Sequence, residues 1–135
     1  MFRNAFKRRR CIIPASGFYE WTTDEGGKQP HFFSAADGSI LAFAGLWKCW
    51  REPGLEHEIF SATIIVSNAN EWIRKYHDRM PVMMAPADYD GWFTGALGAE
   101  MFEQPSPTLQ EWLVSKRVNR VGNDDDPTLV EQIGA

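Results

Sequence analysis

At 135 residues the chain is long enough for one domain with a real core, and its 44% hydrophobic and 24% charged content is ordinary for a soluble globular protein. A net charge of -4 argues against a protein that coats nucleic acid nonspecifically. A local basic groove is still compatible with it, because Arg3, Lys7, Arg8, Arg9 and Arg10 all lie at the start while acid dominates the tail.

In chain order, Phe2, Ala5 and Phe6 have helical spacing, so residues 2–7 read as the end of a helix that stops near the arginine run. Residues 10–14 read as a strand, Ala15-Ser16-Gly17 as a turn and residues 18–22 as a second strand. Residues 23–28 are polar and carry a Gly pair, a hairpin signal, and residues 29–34 return as a strand. Asp37-Gly38 marks a turn. Residues 40–50 form a long apolar run with Gly45 inside it, which signals a bulge or the close approach of another backbone. Residues 52–54 form a loop, and residues 58–67, rich in Ile, Thr and Val, read as a strand.

Asn68 or Asn70 caps a helical stretch over 71–75, His77-Asp78-Arg79 follows in a loop, and residues 80–84 are extended. Residues 85–88 open a second helix that runs through Trp92 and Phe93 and stops at Gly95. Residues 98–107 read as loop, Thr108 caps a third helix over 109–114, and residues 116–121 read as a last strand. Residues 123–127 make a solvated acidic turn before a weakly ordered end. Hairpins with a few helices and no βαβ alternation give an α+β fold.

No apolar run approaches the ~20 residues of a membrane span, and no apolar signal core follows the basic start. Cys11 and Cys49 each lie in an apolar stretch and read as buried free thiols, so a reducing cytoplasm is the expected compartment. Neither a metal nor a cofactor is expected. His31, His57 and His77 have no Cys or His at ligand spacing, and there is no phosphate loop or Gly-rich dinucleotide fingerprint.

Two stretches carry the chemistry. In Arg10-Cys11-Ile12-Ile13-Pro14-Ala15-Ser16-Gly17-Phe18-Tyr19-Glu20-Trp21, a single carboxylate, Glu20, sits among three aromatic rings. On a strand it shares a face with Phe18, so Glu20 either points to solvent or sits desolvated with a shifted pKa. In Tyr76-His77-Asp78-Arg79-Met80-Pro81-Val82, His77 is either a loop histidine bonded to Asp78 or backbone, or a proton carrier near neutral pH. Asp78 orients that loop, and Arg79 offers a planar cation suited to phosphate. Arg10 next to Cys11 lowers the thiol pKa if it lies close, but Cys11 on a strand should pack inward with Ile13.

These two stretches, with Val118-Asn119-Arg120-Val121 and Asn123-Asp124, resemble the SRAP family, the SOS response-associated peptidases or abasic-site processing proteins. The resemblance implies a pseudo-barrel of curved, mostly antiparallel strands with flanking helices, a single domain over residues 1–135. It also implies Glu20 and His77 as catalytic groups and Arg79 and Arg10 as contacts to DNA phosphate. Family members bind single-stranded DNA at an abasic site. The amine of their N-terminal Cys forms a Schiff base with the sugar aldehyde, and its thiol closes a thiazolidine that crosslinks protein to DNA. They also remove their own initiator Met. That Cys and the later Asn-Ala-Arg motif have no counterpart here, so the chain is expected to be an N-terminally truncated domain, inactive in crosslinking. The alternative is a non-catalytic single-strand-binding or interaction module on the same fold. The expected setting is cytoplasmic, on the nucleoid when bound to DNA and away from membranes. A homo-oligomer is expected through apolar surface around Phe18, Tyr19, Trp21 and Trp47.

Overall fold

The computed structural model describes residues 3–134. In chain order the elements are α1 (Arg3–Arg8), β1 (Arg10–Ala15), β2 (Phe18–Asp24), β3 (Gly27–Ala35), β4 (Leu41–Arg51), β5 (Glu58–Ile64), β6 (Val66–Asn68), β7 (Arg79–Pro81), α2 (Tyr89–Thr94) and β8 (Leu109–Leu113), with short 3-10 turns between them. The described strands make three ladders, ordered β1-β4-β5, β2-β3-β8 and β6-β7, with no closed barrel among them. The class is α+β with mostly antiparallel pairing, as the hairpin pattern implied. The chain divides into two compact units: residues 1–14, 42–68 and 80–107, and residues 15–41, 69–79 and 108–135.

The first unit is built on β4. Its residues Leu41 to Leu46 are all buried, so both faces of this strand are covered and its sequence is a continuous apolar run. Ala44, Val82, Met84, Trp92 and Met101 form the centre of the unit, and Phe6, Ile12, Leu97 and Phe102 pack around it. Gly45 has the close approach its position in the strand signalled. A Cβ there would lie 2.9 Å from Cys11 Sγ and 3.1 Å from the Thr63 carbonyl oxygen. The Trp92 indole donates to the Cys11 carbonyl at 2.9 Å. Helix α2, which carries Trp92, ends at Gly95, whose φ of 82° is the left-handed cap that glycine adopts without strain.

The second unit is organised on β3. A two-residue turn joins β2 to β3, with Asp24 opposite Gly27, and the Asp24 carboxylate accepts the Gly26 N–H at 2.8 Å. The register then puts Phe18 opposite Phe33, Tyr19 opposite Phe32 and Glu20 opposite His31. On the other edge of β3, Phe32 faces Trp112 and Phe33 faces Glu111.

Two elements differ from the sequence reading. Residues 109–113 form a strand, not a helix. The helical spacing of Leu109, Trp112 and Leu113 is real, but a segment this short holds little helix on its own, and the free edge of β3 offers backbone partners along its length. Residues 116–119 form a 3-10 turn instead of a strand, started by the Ser115 hydroxyl accepting the Arg117 N–H at 3.2 Å. The tail beyond the acidic turn is tied down as well. Trp112 donates to the Val130 carbonyl at 2.8 Å, and the Ile133 N–H donates to Leu113 O at 2.9 Å.

The apolar surface also lies elsewhere than expected. Phe18, Tyr19, Trp21 and Trp47 are half-buried, with Phe18 stacked on Phe33 and the Trp21 indole bonded to Asn119. The exposed apolar groups gather instead on β5, where Ile59, Phe60 and Ile64 belong to a strand exposed along its whole length.

Candidate active site

Directly opposed residues of an antiparallel pair point to the same side. One face of the β2-β3-β8 ladder therefore carries Phe18, Glu20 and Thr22 from β2, His31 and Phe33 from β3, and Glu111 from β8. The opposite face is a row of rings, Tyr19, Phe32 and Trp112, with centroids 5.4 and 5.6 Å apart.

Glu20 is half-buried, and burial raises its carboxyl pKa above the usual range, while the charge of His77 partly reverses the shift. The sequence pattern allowed either a solvated or a desolvated acid here, and the half-buried carboxyl lies between the two, with burial the larger influence on it. The loop that brings His77 into electrostatic reach starts at Asn70, whose side chain accepts the Ile73 N–H at 2.9 Å and so opens the 3-10 turn Ile73–Lys75. The His77 N–H then donates to Ile73 O at 3.0 Å, and the Asp78 carbonyl accepts the Ala69 N–H at 2.8 Å. Asp78 thus holds the loop through its backbone. Its side chain is 93% exposed and 3.9 Å from His77 Nδ1.

The half-exposed His77 ring has two backbone partners at one atom. Its Nδ1 lies 3.0 Å from the Arg79 N–H and 3.2 Å from the Arg79 carbonyl. With Nδ1 accepting from the Arg79 N–H, the loop backbone fixes the orientation of the ring. Arg79 itself is exposed at the start of β7.

Arg10, expected beside Arg79 as a phosphate contact, belongs to the other unit and is occupied there. Its guanidinium donates to Phe6 O at 2.7 Å, to Trp92 O at 3.0 Å and to Leu97 O, and it lies 4.4 Å from the ring centroids of both Phe6 and Trp92. This geometry makes Arg10 a clamp on α1 and α2. Cys11 packs against the Gly45 position, and burial pushes its thiol pKa up, the opposite of an activated nucleophile.

Sequence reasoning missed a second set of groups on the same face. His31 Nδ1 meets Glu111 Oε1 at 2.6 Å, His31 Nε2 meets the Thr22 hydroxyl at 2.7 Å, and the Tyr76 hydroxyl donates to Glu111 Oε2 at 3.2 Å. The two-residue turn was the signal that could have found His31, because it fixes the register that puts His31 opposite Glu20. Among the described residues, no three His, Cys, Asp or Glu side chains gather into a metal-binding group, and no helix is long and apolar enough to cross a membrane.

Residues 1–121 match the family described as SOS response associated peptidase (SRAP). The abasic site processing protein YoqW of Bacillus subtilis is 33% identical over 137 residues, covering 96% of this chain and 60% of YoqW. The abasic site processing protein HMCES of Gallus gallus is 29% identical over 92% of this chain and 44% of its own length. The chain thus spans 60% of the first of these relatives and less than half of the second. A crystal structure of a Bordetella bronchiseptica protein superposes with a TM-score of 0.72 at 33% identity, over 84% of this chain and 59% of that one. A Bacteroides thetaiotaomicron protein shares the fold, with a TM-score of 0.83 at 23% identity over 98% of this chain and 60% of that one. By its motifs, its fold and this match along most of its length, the chain belongs to the SRAP family.

Proposed function

We propose that this chain is the acid–base part of an abasic-site processing protein acting in the DNA-damage response. In this reading it binds single-stranded DNA at an abasic site. Glu20 holds or deprotonates the attacking amine, and His77 assists opening of the sugar ring. The observation that supports this best is a half-buried carboxyl, its pKa raised by burial, within electrostatic reach of a histidine whose Nδ1 is held by the Arg79 backbone. Arg79, two residues from His77, is the proposed phosphate contact, and Arg10 is set aside because its Nε and Nη1 donors are engaged by backbone carbonyls and its plane lies between two rings. The names of YoqW and HMCES support abasic DNA as the substrate class.

The amine and thiol come, in this proposal, from a cysteine with a free α-amine outside the 135 residues, because Cys11 and Cys49 are both internal. The 135-residue polypeptide alone is then inactive in crosslinking and in removal of an initiator Met, and retains salt-sensitive single-strand binding. The family match runs through both units, which supports reading residues 1–135 as one SRAP-like domain. Self-association is proposed at β5, the outer strand of its ladder, where exposed backbone and apolar side chains coincide. The proposed setting is the cytoplasm, at the nucleoid when bound to DNA.

The test joins the part of YoqW that this chain does not span to its N-terminus. The reaction is followed as a heat-stable shift of abasic single-stranded DNA on a denaturing gel. Crosslinking is expected in the joined protein, slowed ~10²-fold or more by Glu20→Gln and by His77→Ala. Full-rate crosslinking by both variants would refute the assignment. Single-strand binding without any crosslink would favour a non-catalytic binding module.

A further inference from the structure

We propose that Glu111 is the positioning residue of this site, one carboxylate that holds the side chain across from Glu20 and the side chain next to His77 at the same time. The proposal rests on the acid–base reading of Glu20 and His77 and extends it to a residue that neither the motifs nor the comparisons point to.

The argument starts from β8. As a strand, Leu109–Leu113 sets Glu111 opposite Phe33, on the same face as Glu20 and His31 and diagonal to His31. The Glu111 side chain is 19% exposed and that of His31 10%, so each needs partners for its polar atoms. Glu111 has two. Through Oε1 it meets His31 Nδ1 at 2.6 Å, which makes Nδ1 a donor and leaves Nε2 to the Thr22 hydroxyl. Both nitrogens of the ring across from Glu20 are thereby committed, so His31 is held still and makes no competing bond to the Glu20 carboxylate. Through Oε2, Glu111 accepts the Tyr76 hydroxyl.

Tyr76 directly precedes His77. Its ring meets His31 edge-on at 4.8 Å and Phe33 at 5.0 Å, and its N–H donates to Ile73 O at 2.8 Å. The backbone that delivers His77 is thus anchored to the sheet that delivers Glu20, by the Tyr76 hydroxyl on Glu111 and by the rings of Tyr76 and Trp72 against Phe33. Burial and the Glu111 charge both raise the Tyr76 pKa, so the phenol stays a donor across the working range. The charged groups that bear on His77 itself are Glu20 and Asp78, neither of which Glu111 replaces.

The experiment measures coupling instead of activity. In the 135-residue chain, the midpoint of His77 protonation is read from its ring resonances by NMR, with and without Glu20→Gln. The same pair is then read in the Glu111→Gln background, where a neutral amide of nearly the same shape cannot accept from both His31 and Tyr76. The shift caused by Glu20→Gln is expected to fall to less than about half its original size, since coupling between two groups depends on their being held together. Tyr76→Phe, which cuts one tether and leaves the ring packing, is expected to reduce it by a smaller amount and serves alone if Glu111→Gln does not fold. An undiminished shift in either folded background overturns the proposal, as does the absence of any shift in the parent chain. The reading of Glu20 and His77 as catalytic fails on a different readout, the crosslinking rate of the joined protein.

Discussion

Replacing Arg10 with alanine removes a cation that three carbonyls and two rings share. The Phe6, Trp92 and Leu97 carbonyls each lose a charged donor, and the faces of Phe6 and Trp92 lose the guanidinium between them. Hydrogen bonds from charged groups contribute roughly 1.5–3 kcal/mol each when buried. Arg10 is only part-buried, so water replaces some of what is lost and about 1 kcal/mol per bond is the appropriate figure. Partly exposed cation–π contacts add about 0.5 kcal/mol each. The expected destabilisation is therefore about 3–4 kcal/mol, with Arg10→Lys recovering less than half because an ammonium cannot fork between carbonyls on α1 and α2. Urea unfolding followed by tryptophan fluorescence measures it, since Trp92 is fully buried beside the clamp. A loss below about 1 kcal/mol would refute the clamp. An Arg10→Gln protein that stays folded but has a shallower salt dependence of single-strand binding would return Arg10 to the phosphate contacts.

Gly17→Ala is expected to cost about 2–3 kcal/mol in the same assay, because the new methyl would sit 2.3 Å from both Phe32 Cζ and the Phe33 carbonyl oxygen; an unchanged midpoint would contradict that geometry. Glu20 has a raised folded-state pKa, so its contribution to stability is complete below the ordinary carboxyl range and is lost as the pH rises through the folded value. Glu20→Gln should accordingly become more stabilising, relative to the parent, as the pH rises above the ordinary carboxyl range, and a pH-independent difference in urea midpoint would count against a carboxyl raised by burial. Ile59→Lys and Phe60→Lys should shift the chain toward monomer in sedimentation runs over a range of concentrations, with no change expected from Trp21→Lys. A concentration-dependent association that ignores both β5 changes would move the interface elsewhere.

Local chemistry was enough to read much of this protein. Helix α1 was marked by the spacing of Phe2, Ala5 and Phe6, the end of α2 by Gly95, the hairpin by the polar turn before Lys28, and the tight packing at residue 45 by a glycine inside an apolar strand. Each of these depends on residues within a turn or two of one another, where backbone sterics and side-chain period act directly. The motifs singled out Glu20 and His77 as candidates, and the structure sets them within electrostatic reach of each other.

The rest depended on distant partners. Residues 109–113 carry helical and strand patterns at once, and the open edge of β3 decided between them, because backbone groups on a sheet edge gain more from a ladder than an isolated turn gains from itself. That decision put Glu111 on the face with His31 and Tyr76, groups 80 and 35 residues away in the chain. Arg10 was equally ambiguous in isolation. An arginine in a basic run is free for phosphate until carbonyls more than eighty residues on are brought to its guanidinium, and only the packing of α2 against α1 does that. Spacing can propose donors and acceptors, but which of them remain available is set by what the folded chain places within hydrogen-bond reach of each.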